Sequence, residues 1–210
     1  CYNIGKIMAN SKYKSWVGGI AGSNKKRIKN CYNIGDVSTT AKSNSSCFTY
    51  SGGISGENEG EIEICYSIGD VAAANFSFSY AGGISGNNKG NINNCIAMNK
   101  ELRGCFLDKI CVNLENASVI NCYANQEMLL HGNKDFNGNT NLNISLMNEK
   151  FFNRTGWNFD SIWTWDSTKN RPILDLTPQN TNKVSYYKKS VEITTSEKDV
   201  NIFKENIWKG

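Results

Sequence analysis

The chain has 210 residues and a formal net charge of +4, and 39% of its residues are hydrophobic, which leaves room for one domain and a small addition. Its charges are dispersed, and no basic stripe is interleaved with aromatic residues, which argues against nucleic-acid binding. No apolar run approaches the roughly 18 residues that a membrane-spanning helix needs, so we expect no membrane insertion.

One phrase recurs along the first 125 residues. The chain begins with CYNIGKI, the tail of one copy, which indicates a segment of a longer protein. Further copies are IKNCYNIGDV at 28–37, IEICYSIGDV at 62–71, INNCIAM at 92–98 and VINCY at 119–123. A second phrase keeps step with it, as GGIAG at 18–22 and GGISG at 52–56 and 82–86. A fixed period in this range predicts stacked units that bury their apolar faces on one another.

Each unit is predicted to be a coil of short β-strands. The recurring apolar residues are β-branched or aromatic, Gly, Asn and Ser separate them, and no window carries a helical apolar stripe. Stacking aligns equivalent positions in ladders about 4.8 Å apart. The predicted ladders are Ile28, Ile62, Ile92 and Val119; Cys1, Cys31, Cys65, Cys95 and Cys122; Ile20, Ile54, Ile84 and Cys111; and the structural glycines Gly53 and Gly83.

The alternation of side chains poses a problem at the cysteine. Ile28, Tyr32 and Ile34 share a parity that Cys31 does not. Either the coil bends between Ile28 and Cys31, or Tyr32 faces outward, and the sequence leaves both open.

The cysteines of the predicted ladder are interpreted as buried free thiols, and Cys47, Cys105 and Cys111 lie off this ladder. No two of them have the spacing of a zinc site, and the chain has one histidine, so we predict no metal and no cofactor. Stacked parallel side chains point the same way and do not face each other, which disfavours disulfides along the ladder. A bridge among Cys47, Cys105 and Cys111 remains the alternative.

The Gly-rich phrase could also suggest a calcium roll. Such rolls need acidic residues after the glycines, and two of the three matching stretches have lysine there. Asn24, Asn58 and Asn88 align with one another instead, which predicts a ladder of side-chain amides.

Together these phrases resemble the GLUG motif of bacterial surface proteins, which occurs beside IgA-protease-type zinc peptidases and in adhesin-like proteins. The resemblance covers residues 1–125 and implies an all-β fold, a right-handed parallel β-helix of about four coils, on an exported, wall-associated protein. The fourth copy departs from the motif: Lys109 and Ile110 are expected to replace the glycine pair, and Asn113 the third glycine.

Asp36 and Asp70 are the carboxylate pair to weigh as a catalytic site. They occupy the same position in neighbouring coils, at a separation compatible with a retaining glycosidase. The predicted column reads Lys6, Asp36, Asp70, Lys100 and Glu127, and flanking lysines would keep both carboxylates ionised. We therefore predict no catalytic residues here, and the alternative is a polysaccharide hydrolase or lyase using Asp36 and Asp70.

Residues 126–176 differ in composition and end in an aromatic segment. Trp157, Phe159, Trp163 and Trp165 are predicted to cap the C-terminal end of the β-helix, because an open end exposes strand edges and core. A ligand platform is the alternative. Residues 177–210 are predicted to be a linker or the start of a following β domain.

The sequence thus predicts a non-catalytic stalk or binding module of an extracellular or cell-wall protein. Its partners would be other domains of the same polypeptide, and host protein or glycan in an adhesive role. The sequence has no His-Glu-x-x-His, so any zinc peptidase centre would lie outside this segment.

Overall fold

The computed structural model describes residues 1–41, 47–74, 78–113, 117–135, 140–142 and 146–176. These residues form a nearly all-β structure whose parallel strands stack as a β-solenoid of about four turns, which confirms the predicted fold class. Residues Cys1–Leu174 form one compact unit and Asp175–Gly210 a second. The region predicted at 177–210 lies outside the described residues.

The strands follow one another coil by coil. The first coil holds β1 (Tyr2–Asn3), β2 (Ile7–Ser11), β3 (Ser15–Gly18) and β4 (Ala21–Asn24). The second holds β5 (Arg27–Asn33), β6 (Val37–Ala41), β7 (Phe48–Gly52) and β8 (Ser55–Asn58), and the third holds β9 (Glu61–Ser67), β10 (Val71–Ala74), β11 (Phe78–Gly82) and β12 (Ser85–Asn88). The fourth holds β13 (Asn91–Asn93), β14 (Ile96–Ala97), β15 (Glu101–Arg103), β16 (Phe106–Asp108) and β17 (Cys111–Asn113). The last strands of the stack are β18 (Ser118–Ile120), β19 (Tyr123–Asn125), β20 (Leu129–His131), β21 (Lys134–Asp135) and β22 (Thr140–Leu142).

Equivalent strands of successive coils pair to form four parallel sheets. Sheet A contains β1, β5, β9, β13, β14, β18, β19 and β22; sheet B contains β2, β6, β10, β15 and β20; sheet C contains β3, β7, β11, β16 and β21; sheet D contains β4, β8, β12 and β17. The stacked strands therefore continue past residue 125, the predicted end of the repeats, as far as Leu142.

A backbone bend before each ladder cysteine resolves the parity problem. Asn30 has φ 53°, and Ile64, Asn94 and Asn121 have the same left-handed conformation in their coils. The bend turns Ile28 and Cys31 toward the same core, although three residues separate them. Tyr32 points away from that core and belongs to a second apolar cluster. Both open alternatives therefore hold at once.

The core is built from ladders in the register that the repeats predict. Ile28 pairs with Ile62, Ile62 with Ile92, and Ile92 with Val119. The ladder cysteines Cys31, Cys65, Cys95 and Cys122 are buried free thiols. No disulfide joins Cys47, Cys105 and Cys111, so the alternative of a bridge among them is not realised.

Buried amides form a ladder of their own. The Asn24 amide donates to Oδ1 of Asn58 at 2.7 Å, and the Asn58 amide donates to Oδ1 of Asn88 at 2.8 Å. These side chains satisfy each other and the turn carbonyls at the end of sheet D, so the polar groups that the turn buries are paired. The predicted asparagine ladder is confirmed.

The fourth copy is aligned differently from the sequence-based expectation. The backbone N–H of Ile84 donates to the carbonyl of Ile110, and Cys111 pairs with Ser85, so Ile110 and not Cys111 continues the isoleucine ladder. Asp108 stands opposite Gly82, and the glycine pair is thus replaced by Asp108 and Lys109. Asn113 pairs with Asn88 across an irregularity in the register, so its position belongs to the asparagine ladder and not to the third glycine.

The glycine pairs lie at a corner where successive coils come very close. A Cβ atom on Gly53 would lie 2.1 Å from the carbonyl oxygen of Gly83, and one on Gly83 would lie 2.3 Å from the carbonyl oxygen of Lys109. Real Cβ contacts of this kind essentially do not occur, so only glycine fits while the coils keep their spacing. Here the requirement comes from the neighbouring coil, since both residues have ordinary φ values.

The aromatic segment packs on the flank of the stack. Helix α1 (Glu149–Arg154) is followed by an antiparallel hairpin of β23 (Trp163–Asp166) and β24 (Arg171–Leu174). Trp163 contacts Tyr32 and Tyr66 of sheet A, and Trp157 contacts Tyr66. Tyr32 and Tyr66 belong to the second and third coils, so these residues cover the outer face of sheet A, not the C-terminal end as expected. The apolar surface that attracts them is the row of outward-facing tyrosines and isoleucines.

Two glycine substitutions test whether the close approach of successive coils is what requires glycine at these corners. Gly5 and Gly69 occupy equivalent repeat positions. A Cβ atom on Gly69 would lie 2.1 Å from the Gly35 carbonyl oxygen, whereas one on Gly5 would have nothing nearer than 3.7 Å. We expect Gly69→Ala to lower the free energy of unfolding by about 1–3 kcal/mol, the usual effect of overpacking. Gly5→Ala should leave it nearly unchanged. Thermal and denaturant unfolding measure both variants. If Gly5→Ala destabilised the protein as much as Gly69→Ala, this explanation would be contradicted.

Candidate functional site

A shallow groove lies on the outer side of sheet B, where the strands of successive coils begin. Its volume is about 170 Å³. Alternating outward positions of β6, β10 and β15, and the residues just before these strands, provide its lining. The lining residues are Lys6, Asp36, Val37, Ser38, Asp70, Val71, Ala72, Glu101 and Arg103.

Three carboxylates form a column along this groove. Val37 pairs with Val71, and Val71 with Leu102, so Asp36, Asp70 and Glu101 stand one above another. Lys100 does not hold the column position predicted for it, because Leu102 lies six residues after Ile96, while Val71 lies five after Tyr66. The extra residue moves Glu101 into line with Asp70. Leu129, and not Glu127, then stands opposite Glu101.

The column makes one carboxyl group easier to protonate. Burial raises the pKa of Asp70, and the neighbouring carboxylates of Asp36 and Glu101 raise it further. Asp36 accepts a hydrogen bond from the Asp70 backbone N–H at 3.1 Å. The expected lysine neighbour Lys100 is displaced from the column by Glu101, and the acids beside Asp70 raise its pKa instead.

Glu101 links the groove to two basic side chains. Its carboxylate forms an ion pair with Arg103, and the Nε2 atom of His131 lies 3.2 Å from Glu101 Oε1. His131 thus contacts an acid of the groove, a contact that sequence reasoning missed because the two residues lie in successive coils. The groove combines the stacked carboxylates of Asp36 and Asp70 with the cations Lys6 and Arg103, and these groups could bind a polar ligand.

Most aromatic rings of the C-terminal segment are buried in contacts with one another and with sheet A. Trp157 and Trp163 have exposed fractions of 3% and 0%, and their ring centroids lie 4.6 Å apart. Trp165 contacts Phe152, and Phe159 packs against the same cluster. Tyr66 anchors the hairpin by donating to the carbonyl oxygen of Pro172 at 2.6 Å. Trp157 and Trp163 therefore offer no open ring face to a ligand, which disfavours the platform alternative.

A second aromatic surface, the aromatic strip, lies on the outer face of sheet C. Sequence reasoning missed it. Trp16, Tyr50, Tyr80 and Phe106 stack in one row, with ring centroids 6.2, 4.9 and 4.7 Å apart. Phe48 and Phe78 stack beside them at 5.1 Å. The signal was present in the sequence, because FTYSG at 48–52 and FSYAG at 78–82 precede the two GGISG phrases in equivalent positions.

The stacking geometry determines what this strip presents to solvent. Its interplanar angles are between 5° and 19°, so most ring faces cover one another. The ring edges, which carry the positive end of the quadrupole, are then left to point outward. Trp16 and Phe78 are the most exposed members, at 40% and 38%.

Within the described ranges, no group of three or more His, Cys, Asp or Glu side chains is placed to hold a metal ion. In the same part of the chain, no helix has the length and apolar character needed to cross a membrane.

The fold has a counterpart among solved structures. The chain is similar to a protein from Bacteroides ovatus that is described as a candidate immunoglobulin A1 protease, with a TM-score of 0.65 and 23% sequence identity. The match covers 84% of this chain but 57% of that protein, so the chain corresponds to little more than half of it. At this identity the match shows the fold. No protein-family model matches the chain, and no curated protein matches it.

The carboxylate column leads to a prediction about pH and stability. A carboxyl group whose pKa is raised in the folded protein stabilises the fold below its unfolded pKa of about 3.9, and this contribution is lost as pH rises through the folded pKa. Asp70→Asn should therefore raise the free energy of unfolding at pH 7 by about 0.5 kcal/mol or less, the usual size for a surface site, and raise the melting temperature slightly. The gain should disappear near pH 3.5. Asp160→Asn, outside the groove, is the control, and an equal gain at both pH values would contradict the argument.

The flank packing predicts different outcomes for two tryptophans. Trp163→Ala removes a fully buried ring between Tyr32, Tyr66 and Trp157 and should lower the free energy of unfolding by about 3–5 kcal/mol. Trp16→Ala removes a ring that is 40% exposed and should cost much less. Urea unfolding of both variants measures the difference. If Trp163→Ala cost no more stability than Trp16→Ala, the contribution expected from the flank contacts would be contradicted.

Proposed function

We propose that this chain is a non-catalytic β-solenoid module of the GLUG type, part of an exported bacterial surface protein. Its role is to hold a neighbouring domain of the same polypeptide at a fixed distance and orientation. Extracellular or cell-wall localisation follows from this proposal.

The observation that carries the proposal is the unbroken register of the coils. The isoleucine, cysteine and asparagine ladders run from coil to coil. On the flank of the stack, Trp163 of the hairpin packs against Tyr66 of the third coil. Such repeats resist bending because any tilt between coils breaks several ladders together. A module with this property is suited to spacing and presentation.

The structural neighbour supports a surface context. The Bacteroides ovatus protein is described as a candidate immunoglobulin A1 protease, and this chain corresponds to 57% of its length. A host immunoglobulin is an extracellular target, and a solenoid within such a protein would lie outside the cell. The GLUG-like phrases support the same context.

Adhesion is the finer part of the proposal. The aromatic strip of sheet C exposes Trp16 and Phe78, and tryptophan and phenylalanine are enriched at protein interfaces. We therefore assign the strip as the contact surface for a host protein or glycan in the adhesive role.

Distance measurement tests the positioning role. Spin labels carried by noncanonical amino acids at the exposed Lys12 and Lys100 avoid the eight native cysteines. We expect a narrow distance distribution. A second copy of residues 61–90 inserted after Gly90 should lengthen the distance by up to about 4.8 Å, one rung, and keep it narrow. A Gly/Ser linker of equal length is the control and should broaden it. A broad distribution in the native chain would contradict the proposal.

A polysaccharide-acting enzyme is the second candidate function. The observation that favours it is the pair of Asp36 and Asp70 in an open groove, where burial and neighbouring acids shift the pKa of Asp70 upward, the direction that a general acid requires. Retaining glycosidases place their two carboxyl groups about 5–5.5 Å apart, close to one rung of the stack.

A depolymerisation assay separates the two functions. The chain and its Asp36→Asn/Asp70→Asn variant are incubated with a panel of acidic and neutral polysaccharides, and reducing ends are measured. The module proposal expects no release from either protein. Release by the native chain that the double variant loses would establish the enzyme.

A further inference from the structure

The C-terminal aromatic segment contacts parts of the stack that do not contact one another. Trp163 of its hairpin packs on Tyr32 of the second coil and Tyr66 of the third. Phe151 of α1 meets Tyr123 in the last strands of the stack, edge to face, with ring centroids 5.1 Å apart. In a solenoid each coil ordinarily contacts only its neighbours, so this segment links coils that would otherwise be independent.

The link is closely packed and centred on the third coil. Four large side chains of the segment have exposed fractions of 3% or less, and these are Met147, Phe152, Trp157 and Trp163. They share one apolar cluster with Ile96 of the fourth coil. Tyr66 of the third coil is fully buried, contacts both tryptophans and donates to the carbonyl oxygen of Pro172 at 2.6 Å.

The third coil also differs from the others at the left-handed bend. Asn30, Asn94 and Asn121 occupy this bend in the other coils, and asparagine tolerates the conformation. Ile64 adopts it in the third coil, with φ 53°. A β-branched residue is strained there, and a fourth asparagine would avoid the strain. A compensating contact would explain why isoleucine occupies this bend.

The aromatic segment supplies such a contact. Ile64 is partly buried and packs against the cluster that the segment forms with sheet A. The segment also passes close to the next bend, since a Cβ atom on Gly156 would lie 4.0 Å from Nδ2 of Asn94. Among the described bends, the apolar residue therefore lies in the coil on which the segment is centred.

We propose that the aromatic segment, residues 147–174, is a strap that makes coils two to four and the last strands unfold as one unit, and that Ile64 fixes the strap on the third coil. Packing against the strap offsets the strain at Ile64. Without the strap, each coil would be held only by its neighbours, and the stack would open coil by coil. The inference goes beyond the positioning role proposed above and does not depend on it.

A purely local explanation of Ile64 leads to a different expectation. If the pairing of β9 with its neighbouring strands alone imposes the bend, Ile64→Asn relieves strain whether or not the strap is docked. If the strap compensates for the strain, asparagine becomes favourable only when the strap is loosened.

Urea unfolding of the native 210-residue chain and its variants separates these explanations. We expect Ile64→Asn to lower the urea midpoint in the native chain and to raise it in a Trp163→Ala background. Trp163→Leu supplies the background if Trp163→Ala does not fold. Ile64→Val keeps the branched shape and should leave the midpoint nearly unchanged. Asn121→Ile adds a branched residue at an exposed bend, and as the matched control it should lower the midpoint equally in both backgrounds.

Hydrogen exchange tests the coupling of the coils. The paired amides of β5, β9 and β14 lie in sheet A of the second, third and fourth coils. In the native chain they should exchange with one common slow rate. Trp163→Ala should speed their exchange at least tenfold and give each coil its own rate. Trp16→Ala, on sheet C and outside the strap, should preserve the common rate.

Two kinds of result would overturn the proposal. If Ile64→Asn shifted the urea midpoint in the same direction and by the same amount in both backgrounds, Ile64 would not act through the strap. If the three strands exchanged at separate rates in the native chain, or kept a common rate in a natively folded Trp163→Ala variant, the segment would not couple the coils.

Discussion

In-register pairing of each coil on the next is the constraint on which the rest of the structure depends. Because equivalent residues superpose, a backbone conformation chosen in one coil is imposed on its neighbours. The left-handed bend at Asn30 is repeated at Asn94 and Asn121, where asparagine suits it, and also at Ile64, a β-branched residue for which this conformation costs about 1–2 kcal/mol. Pairing of β9 on both sides, with β5 and with β13 and β14, holds Ile64 in place.

The bend also divides the apolar residues between two cores. Ile28 and Cys31 turn inward, and Tyr32 turns outward, so one strand supplies both the solenoid interior and the surface that the aromatic segment covers. Without the bend, Ile28 and Cys31 would face opposite sides and Tyr32 would share the side of Ile28, so Trp163 would have no tyrosine row to pack on. Flank packing is thus a consequence of backbone geometry in the repeat and not a separate addition at the end of the stack.

Small changes in coil length alter surface chemistry without disturbing the core. One extra residue before β15 leaves Leu102 in register with Val71 but exchanges Lys100 for Glu101 beside Asp70. A column in which Lys100 was expected to follow Asp70 instead continues with an acid, and the pKa of Asp70 is raised. The replacement of the glycine pair by Asp108 and Lys109 is a second example. It changes the residues at the corner, while the isoleucine ladder continues through Ile110. Function in such a fold can therefore vary at the corners while the ladders persist.

The sequence by itself determined the solenoid, its ladders and the buried cysteines, because period and residue type recur together and stacking follows from recurrence. It also predicted the pairing of Asn24 with Asn58 and Asn88. Only the tertiary structure decided the register of the eroded fourth copy, where Ile110 replaces Cys111, because alignment by residue type cannot detect a one-residue shift. The flank position of Trp157 and Trp163, the acid column at Asp70 and the contact of His131 with Glu101 were likewise decided by coil-to-coil geometry. Each depends on which side of a bend a residue faces, and that side is set by backbone conformation and packing against distant segments.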